Sequence, residues 1–421
     1  MKETKFKDTE IGRIPEEWSI CNFGDIFTFF SNNTLSRDML GERGDMHNVH
    51  YGDVLIKYGS TLDVEKESIP SIKEEYCYKS TNKIEDGDVI IADTAEDETV
   101  GKACEILNVG SKYIVSGLHT IWVRPKGNLF AAKYLGYAMN GTTYHNQLLP
   151  LIQGTKVCSI SKAAIKDTCI IVPPINEQHS IASALTSIDN LIASLGKLIE
   201  KKKNIKQGAM QQLLTGKTRL KGFSEPWVEK KLGDVAVNYT GLTYSPMNVK
   251  SYGTLVLRSS NIQKGILVFN DNVFVDMDIP SRAIAKKNDL LICVRNGSKA
   301  LIGKSAVITD YADGMAFGAF MTILHANDIQ QGFLNYLWQA DYIQQQVKDN
   351  MGATINQITN ADIEQFKIVV PHSLKEQQAI ATILTKMDNE ITALEAKRAK
   401  YEAIKQGMMQ QLLTGKIRLI S

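Results

Sequence analysis

Four short runs hold the side chains best suited to contacting a ligand. They are Lys57-Tyr58-Gly59-Ser60-Thr61, Asp93-Thr94-Ala95-Glu96, Arg258-Ser259-Ser260-Asn261 and Arg295-Asn296-Gly297-Ser298-Lys299. Each follows a short apolar stretch, as a loop at a strand end does. Arg, Asn, Ser and Lys in such places donate hydrogen bonds to guanine or adenine edges and to phosphate oxygens. On that chemistry the candidate DNA contacts are Lys57, Tyr58, Ser60, Thr61, Thr94, Lys156, Arg258, Ser260, Asn261, Arg295, Asn296, Ser298 and Lys299. Taken singly, such loops are more often ordinary turns; their parallel placement in two halves of the chain favours the functional reading.

Other chemistry fails on spacing. Thr215 to Thr218 reads TGKT, but a phosphate loop needs glycine five residues before Gly216, and Gln211 stands there. The second copy of this segment has Ile417 where Ser or Thr is required. His47 and His50 form an H-x-x-H with no third ligand at suitable spacing, so a metal site is not expected. Glu229-Lys230-Lys231 and Glu395-Ala396-Lys397 resemble the tail of a nuclease motif without its proline-aspartate partner. Pro173-Pro174-Ile175-Asn176 lacks the Asp or Asn before the prolines, and the aromatic after them, that an adenine methyltransferase uses. The six cysteines contain no C-x-x-C pair, which argues against a zinc ribbon or a disulfide framework. Catalysis by this chain alone is not expected.

The elements that would carry these loops are duplicated. Lys206 to Leu220 reads KQGAMQQLLTGKTRL and Lys405 to Leu419 reads KQGMMQQLLTGKIRL, thirteen of fifteen positions agreeing at an offset of 199. Upstream, Glu177-Gln178 matches Glu376-Gln377 and Asp189-Asn190 matches Asp388-Asn389. Weaker echoes pair DVII at Asp88 with DLLI at Asp289, Gly101-Lys102 with Gly303-Lys304, and Trp18 with Trp227.

From Glu177 to Thr215 there is no proline, and apolar residues recur at heptad spacing: Ile181, Leu185, Ile188, Ile192, Leu195 and Ile199. The second copy keeps the register with Ile380, Leu384, Met387, Ile391, Leu394 and Tyr401. Gly216 and Gly415 close the two runs as helix ends. A helix of this length spans roughly 58 Å at 1.5 Å per residue and would expose its seam if it stood alone. The expectation is an antiparallel intramolecular coiled coil, with two independent helices as the simpler alternative.

Upstream of each helix lie short strand-like runs. The first head has Asp53 to Ile56, Asp88 to Ala92, Ala103 to Leu107, Tyr113 to Val115 and Thr120 to Val123, then a helical stretch from Phe130 to Met139. The second has Thr254 to Leu257, Leu290 to Val294, Ala306 to Thr309 and Met321 to Leu324, then a helix from Gln331 to Lys348. The fold class expected is α+β: two mixed α/β heads and two long helices in a tandem repeat. The divisions expected are 1–172, 173–221, 222–371 and 372–421, a head and a helix in each half.

With 48 basic and 46 acidic residues in 421, the chain is nearly neutral, which argues against a wrapper of bulk nucleic acid but not against a local basic surface. The neutrality hides a split: the helical segments sum to +8 and the heads to −6. No run of 18 apolar residues appears, and the opening decapeptide is charged where an export signal is apolar, so a cytoplasmic protein without a membrane partner is expected.

The entry IGRIPEEW (Ile11 to Trp18), the helix starts PPINEQHSIAS and PHSLKEQQAIA, and the doubled MQQLLTGK resemble the specificity subunit of type I restriction-modification systems over nearly the whole chain. That resemblance implies two target-recognition domains, each reading half of a split sequence in double-stranded DNA, with an antiparallel coiled coil setting their separation. It implies no active site and no cofactor bound by this chain. Two methyltransferase subunits would dock on it and supply S-adenosylmethionine chemistry, and restriction subunits would bring ATP and Mg. Two heads about one helical turn apart, roughly 34 to 36 Å, suit such a target. Because recognition domains vary with target, the resemblance assigns no base contact. The competing functions are a stand-alone nuclease using acidic residues such as Asp93 or Glu96, and a silent or regulatory copy that exchanges recognition domains.

Overall fold

The computed structural model describes residues 4–78, 82–154, 156–352 and 356–419. By internal packing the chain forms two units, Met1–Gly196 with Ala396–Ser421, and Lys197–Glu395. The two long helices run Ile175–Leu213 and Leu374–Leu412, 39 residues each. Each unit therefore holds one head, the opening part of the helix that follows that head, and the closing part of the other helix.

Within both units the two helical parts run antiparallel, as their ion pairs show. In the first unit Lys405 pairs with Asp189 at 2.7 Å and Arg418 with Glu177 at 2.6 Å. In the second, Lys206 pairs with Asp388 at 2.5 Å, Lys202 with Glu390 and Lys203 with Glu395 at 2.6 Å, and Arg219 with Glu376 at 2.8 Å. Lys206 and Lys405, which interrupt the apolar seam, are thus matched by carboxylates on the facing helix. Of the seam residues, Ile181, Leu185, Ile188, Leu195, Ile199, Ile380, Leu384 and Ile391 are buried, and Ile192, Met387, Leu394 and Tyr401 are half-buried. A coiled-coil seam accounts for that burial.

The seam also docks on the heads. Ile181 and Leu185 share a core with Trp18, Tyr134 and Leu412. Ile380 and Leu384 share one with Leu213, Phe333 and Trp338. Gly216 and Gly415 end the helices in the left-handed region, at φ +70° and +68°, which a residue with a Cβ adopts only under strain. Just beyond, Arg418 and the Trp18 indole N–H both donate to the buried Glu177 carboxylate, at 2.6 and 2.9 Å. Arg219 and Trp227 donate to Glu376 in the same way, at 2.8 and 3.4 Å. The TGK segment is therefore a helix stop beside a charged latch.

In the first head one sheet orders the strands Phe27–Phe30, Thr120–Pro125, Val89–Ala92, Ala103–Leu107 and Thr61–Asp63. A second sheet orders Tyr113–Ser116, Met46–Val49, Ser71–Ile72 and Leu40–Gly41. The second head repeats the plan with Ala236–Thr240, Met321–Ala326, Leu290–Cys293 and Ser305–Val307, and with Val249–Lys250, Phe274–Val275, Thr254–Leu257 and Ala316–Phe317. The central strands are buried on both faces, which is why they read as continuous apolar runs. Val89 and Ile91 enter one core while Ile90 and Ala92 enter another. Leu290 and Ile292 are likewise separated from Leu291 and Cys293.

Three expected elements differ. Asp53 to Ile56 lies in a helix, Tyr51–Ile56, because the His50 ring caps it by accepting the Gly52 N–H at 3.2 Å. The stretch Phe130 to Met139 is helical only over Tyr134–Ala138: the Glu105 carboxylate accepts the N–H groups of Lys133 and Gly136 at 2.6 and 2.9 Å, and Lys133 sits at φ +73°. Gln331 to Lys348 is two helices, Gln331–Leu337 and Asp341–Asp349. The break follows Trp338, whose indole N–H is drawn inward to the Gly303 carbonyl at 2.9 Å, and Gln344 takes the Trp338 carbonyl out of the helical ladder at 2.6 Å.

Candidate nucleic-acid interface

Four chain segments meet at one end of the paired sheets in each head, and the same backbone bonds hold them. In the second head the Gly318 N–H donates to Leu257 at 2.9 Å, Leu242 to Phe317 at 2.6 Å, and Val294 to Phe320 at 3.0 Å. In the first, Gly117 donates to Val49 at 2.9 Å, Asn33 to Ser116 at 2.9 Å, and Asp93 to His119 at 3.1 Å. These bonds define equivalent positions. Arg258, Ser259, Ser260 and Asn261 correspond to His50, Tyr51, Gly52 and Asp53; Val294 and Arg295 to Asp93 and Thr94; Phe320 to His119.

In the second head both expected loops enter this site. The Asn296 side-chain amide donates to Ser259 Oγ at 3.0 Å, tying one loop to the other. The Arg295 guanidinium lies over the Phe320 ring at 5.0 Å, and both side chains are exposed. Phe320 also lines a cleft of about 520 Å³ with Tyr244, Arg258, Ser260 and Asp271. Arg258 donates to the Asp271 carboxylate at 2.8 Å, while its Nε and the Ser260 hydroxyl are buried without a protein partner. Asn261 is fully buried; its amide accepts from the Arg258 N–H and donates to the Val268 carbonyl, so it builds the loop from behind. Ser298 and Lys299 are exposed further along this loop.

In the first head the structure gathers a partly different set. Thr94 donates to Asp93 at 2.8 Å and lies 3.2 Å from His119 Nδ1, which is 3.4 Å from Asp93 Oδ1. Tyr51 packs edge-on against His119 at 5.3 Å and beside His50 at 4.6 Å. His50 is buried, and that desolvation lowers its pKa, so the ring stays neutral and accepts from its own helix cap. The run from Lys57 to Thr61 takes no place here. Tyr58 is buried and its hydroxyl points to the Ser68 carbonyl at 3.4 Å, which the Lys57 ammonium also meets. The Ser60 carbonyl holds the Glu105 N–H at 3.0 Å, and Thr61 opens a strand. Lys156 is exposed on a separate loop. His47 faces Ser71 Oγ at 3.2 Å.

Sequence reasoning passed over His119, Phe320 and Tyr51, and weighed His50 only as a metal ligand. The signal for the first two was Gly117-Leu118-His119 against Gly318-Ala319-Phe320, the same short step before the same strand. Among the described residues no group of three His, Cys, Asp or Glu is placed to hold a metal ion, and no helix is long and apolar enough to cross a membrane.

The model of the type I restriction modification DNA specificity domain matches the chain twice, over residues 15–206 and 224–406. The chain belongs to that family: it is a type I restriction system specificity subunit with two DNA specificity domains. A putative type I restriction enzyme MjaX specificity subunit from Methanocaldococcus jannaschii is 26% identical over 436 residues, 99% of this chain and 98% of its own. The EcoKI specificity subunit of Escherichia coli is 29% identical over 190 residues, 43% of this chain and 40% of its own. Among solved structures, the type I restriction-modification S subunit from M. genitalium superposes with a TM-score of 0.55 at 14% identity, over 94% of this chain and 96% of that one. A chain from a study of complex assembly and conformational transition in the type I R-M system gives 0.60 at 17%, over 96% and 99%. At these identities the likeness to solved structures is one of fold.

Proposed function

We propose that this chain reads an asymmetric, bipartite DNA sequence, one half-site per head, and scaffolds two methyltransferase subunits and the restriction subunits of a type I complex. The observation that supports this reading is the repeated frame: one set of backbone bonds, built twice, with different side chains in each copy. A frame that holds its loops by main-chain bonds can change its contacts without refolding, and two unlike sets of side chains call for unlike half-sites. In this reading the chain is not an enzyme. S-adenosylmethionine, ATP and Mg belong to the partner subunits, and the acidic heads make DNA binding by the chain alone weak.

The test is to co-express the chain with its methyltransferase subunit in a host free of adenine methylation and to map modified bases by single-molecule sequencing. The expected result is one split motif with two different halves and a constant spacer. Absence of any such motif, or metal-dependent DNA cleavage by the purified chain alone, overturns the proposal.

A further inference from the structure

We propose that Arg295, held on the Phe320 ring, reads a guanine in the half-site of the second head, and that the equivalent place in the first head accepts from an amino-bearing base, adenine or cytosine. This rests on the reading of the chain as a DNA-recognition subunit and goes beyond it by assigning the chemistry of each head.

Two arginines stand at this site, Arg258 in the cleft and Arg295 on the Phe320 ring, and their surroundings separate their roles. Arg258 is half-buried and committed to the Asp271 carboxylate at 2.8 Å. Arg295 is exposed, and among the described residues its guanidinium meets no acceptor. It lies over the Phe320 face, 5.0 Å from the ring centroid. An aromatic face restrains a guanidinium without using its N–H groups, so the two-pronged donor edge stays available and little rotamer freedom is lost on binding. That edge matches the O6 and N7 acceptors of guanine, side by side in the major groove, better than any other base edge. Arg258 Nε and the Ser260 hydroxyl, beside the cleft, are buried without a protein partner.

The first head inverts this chemistry on the same frame. Thr94 stands where Arg295 does, His119 where Phe320 does, and Asp93 where Val294 does. Asp93 Oδ1, Thr94 Oγ1 and His119 Nδ1 lie within 3.4 Å of one another. A carboxylate there repels the O6 and N7 of guanine and accepts from the amino group of cytosine or adenine.

The experiment maps methylation by the complete methyltransferase complex carrying Arg295→Ala or Arg295→Lys. Both should relax the motif at one guanine on one side of the spacer, lowering discrimination there by roughly ten- to hundredfold. The other half-site and the spacer should be unchanged. Lys keeps the charge and loses the fork, so a contact to phosphate gives a different pattern: Arg295→Ala weakens methylation evenly at every base, and Arg295→Lys restores it. That pattern, or a variant that demands every base the wild type demands, overturns this inference alone. A wild-type complex that modifies no split motif overturns the DNA-recognition reading as well.

Discussion

Glu105 shows how a buried residue can set a condition for stability without touching a ligand. It lies on the strand Ala103–Leu107, is 2% exposed, and accepts backbone N–H groups from Lys133 and Gly136. Burial pushes its carboxyl up from 4.5 to about 7, the backbone donors opposing the rise. A folded-state value above the unfolded one contributes stability that is fully present below pH 4.5 and is lost as pH rises through 7. The full span is about 3 kcal/mol, at 1.36 kcal/mol per unit. Urea unfolding of wild type and Glu105→Gln should give curves whose difference changes with pH between 4.5 and 7 and is flat above 8; a difference constant across that range refutes the assignment. At this scale little was legible in advance. Arg295 and Thr94 stood out because they follow strongly apolar strands, but the first head's contribution at His50 and Tyr51 was missed. The strand before them, Met46–Val49, carries His47 and Asn48 and owes its existence to pairing with Tyr113–Ser116 and Ser71–Ile72, which no local pattern records. The apolar Val54-Leu55-Ile56 nearby was read as that strand and is helix.

The elements were far more legible where period and length cooperate. Heptad spacing over 39 residues leaves no alternative to a long helix, and the seam residues it selects are the buried or half-buried ones. The break after Trp338 was hidden because neither glycine nor proline marks it; a tertiary hydrogen bond to Gly303 does. The helix stops, by contrast, are written as glycine, and their environments grade their sensitivity. A Cβ on Gly415 would fall on the Pro15 ring, whereas one on Gly216 would stand 3.2 Å from the Trp227 ring. Both substitutions incur about 1–2 kcal/mol for the left-handed backbone, and only the first also displaces a proline. Thermal melting should therefore rank Gly415→Ala below Gly216→Ala, and both below wild type. Equal melting temperatures would show that the stop tolerates a side chain.

For the whole molecule, the distribution of charge and the repeated latches bear on the same question, what the long helices are for. Their +8 remains after the carboxylates of the facing helix are counted, including those that pair with Lys202, Lys203, Lys206 and Lys405. These pairs sit at exposed or half-exposed positions, where each contributes little to stability but fixes which stretch of one helix faces which stretch of the other. In the proposed reading the helix pair, with its register fixed, sets the constant spacer. Removing 190–196 from the first helix and 389–395 from the second takes one heptad from each, keeps the seam in phase, and retains the Asp189–Lys405 and Asp388–Lys206 pairs. Each helix shortens by about 10 Å at 1.5 Å per residue, or about three base pairs of B-DNA. Three base pairs also turn one half-site by about a third of a turn about the DNA axis relative to the other, so methylation by the variant complex should be less efficient. The sites it still modifies should carry both half-sites unaltered around a shorter spacer. An unchanged spacer would refute the helices as the ruler, and an altered half-site would place base reading outside the two heads.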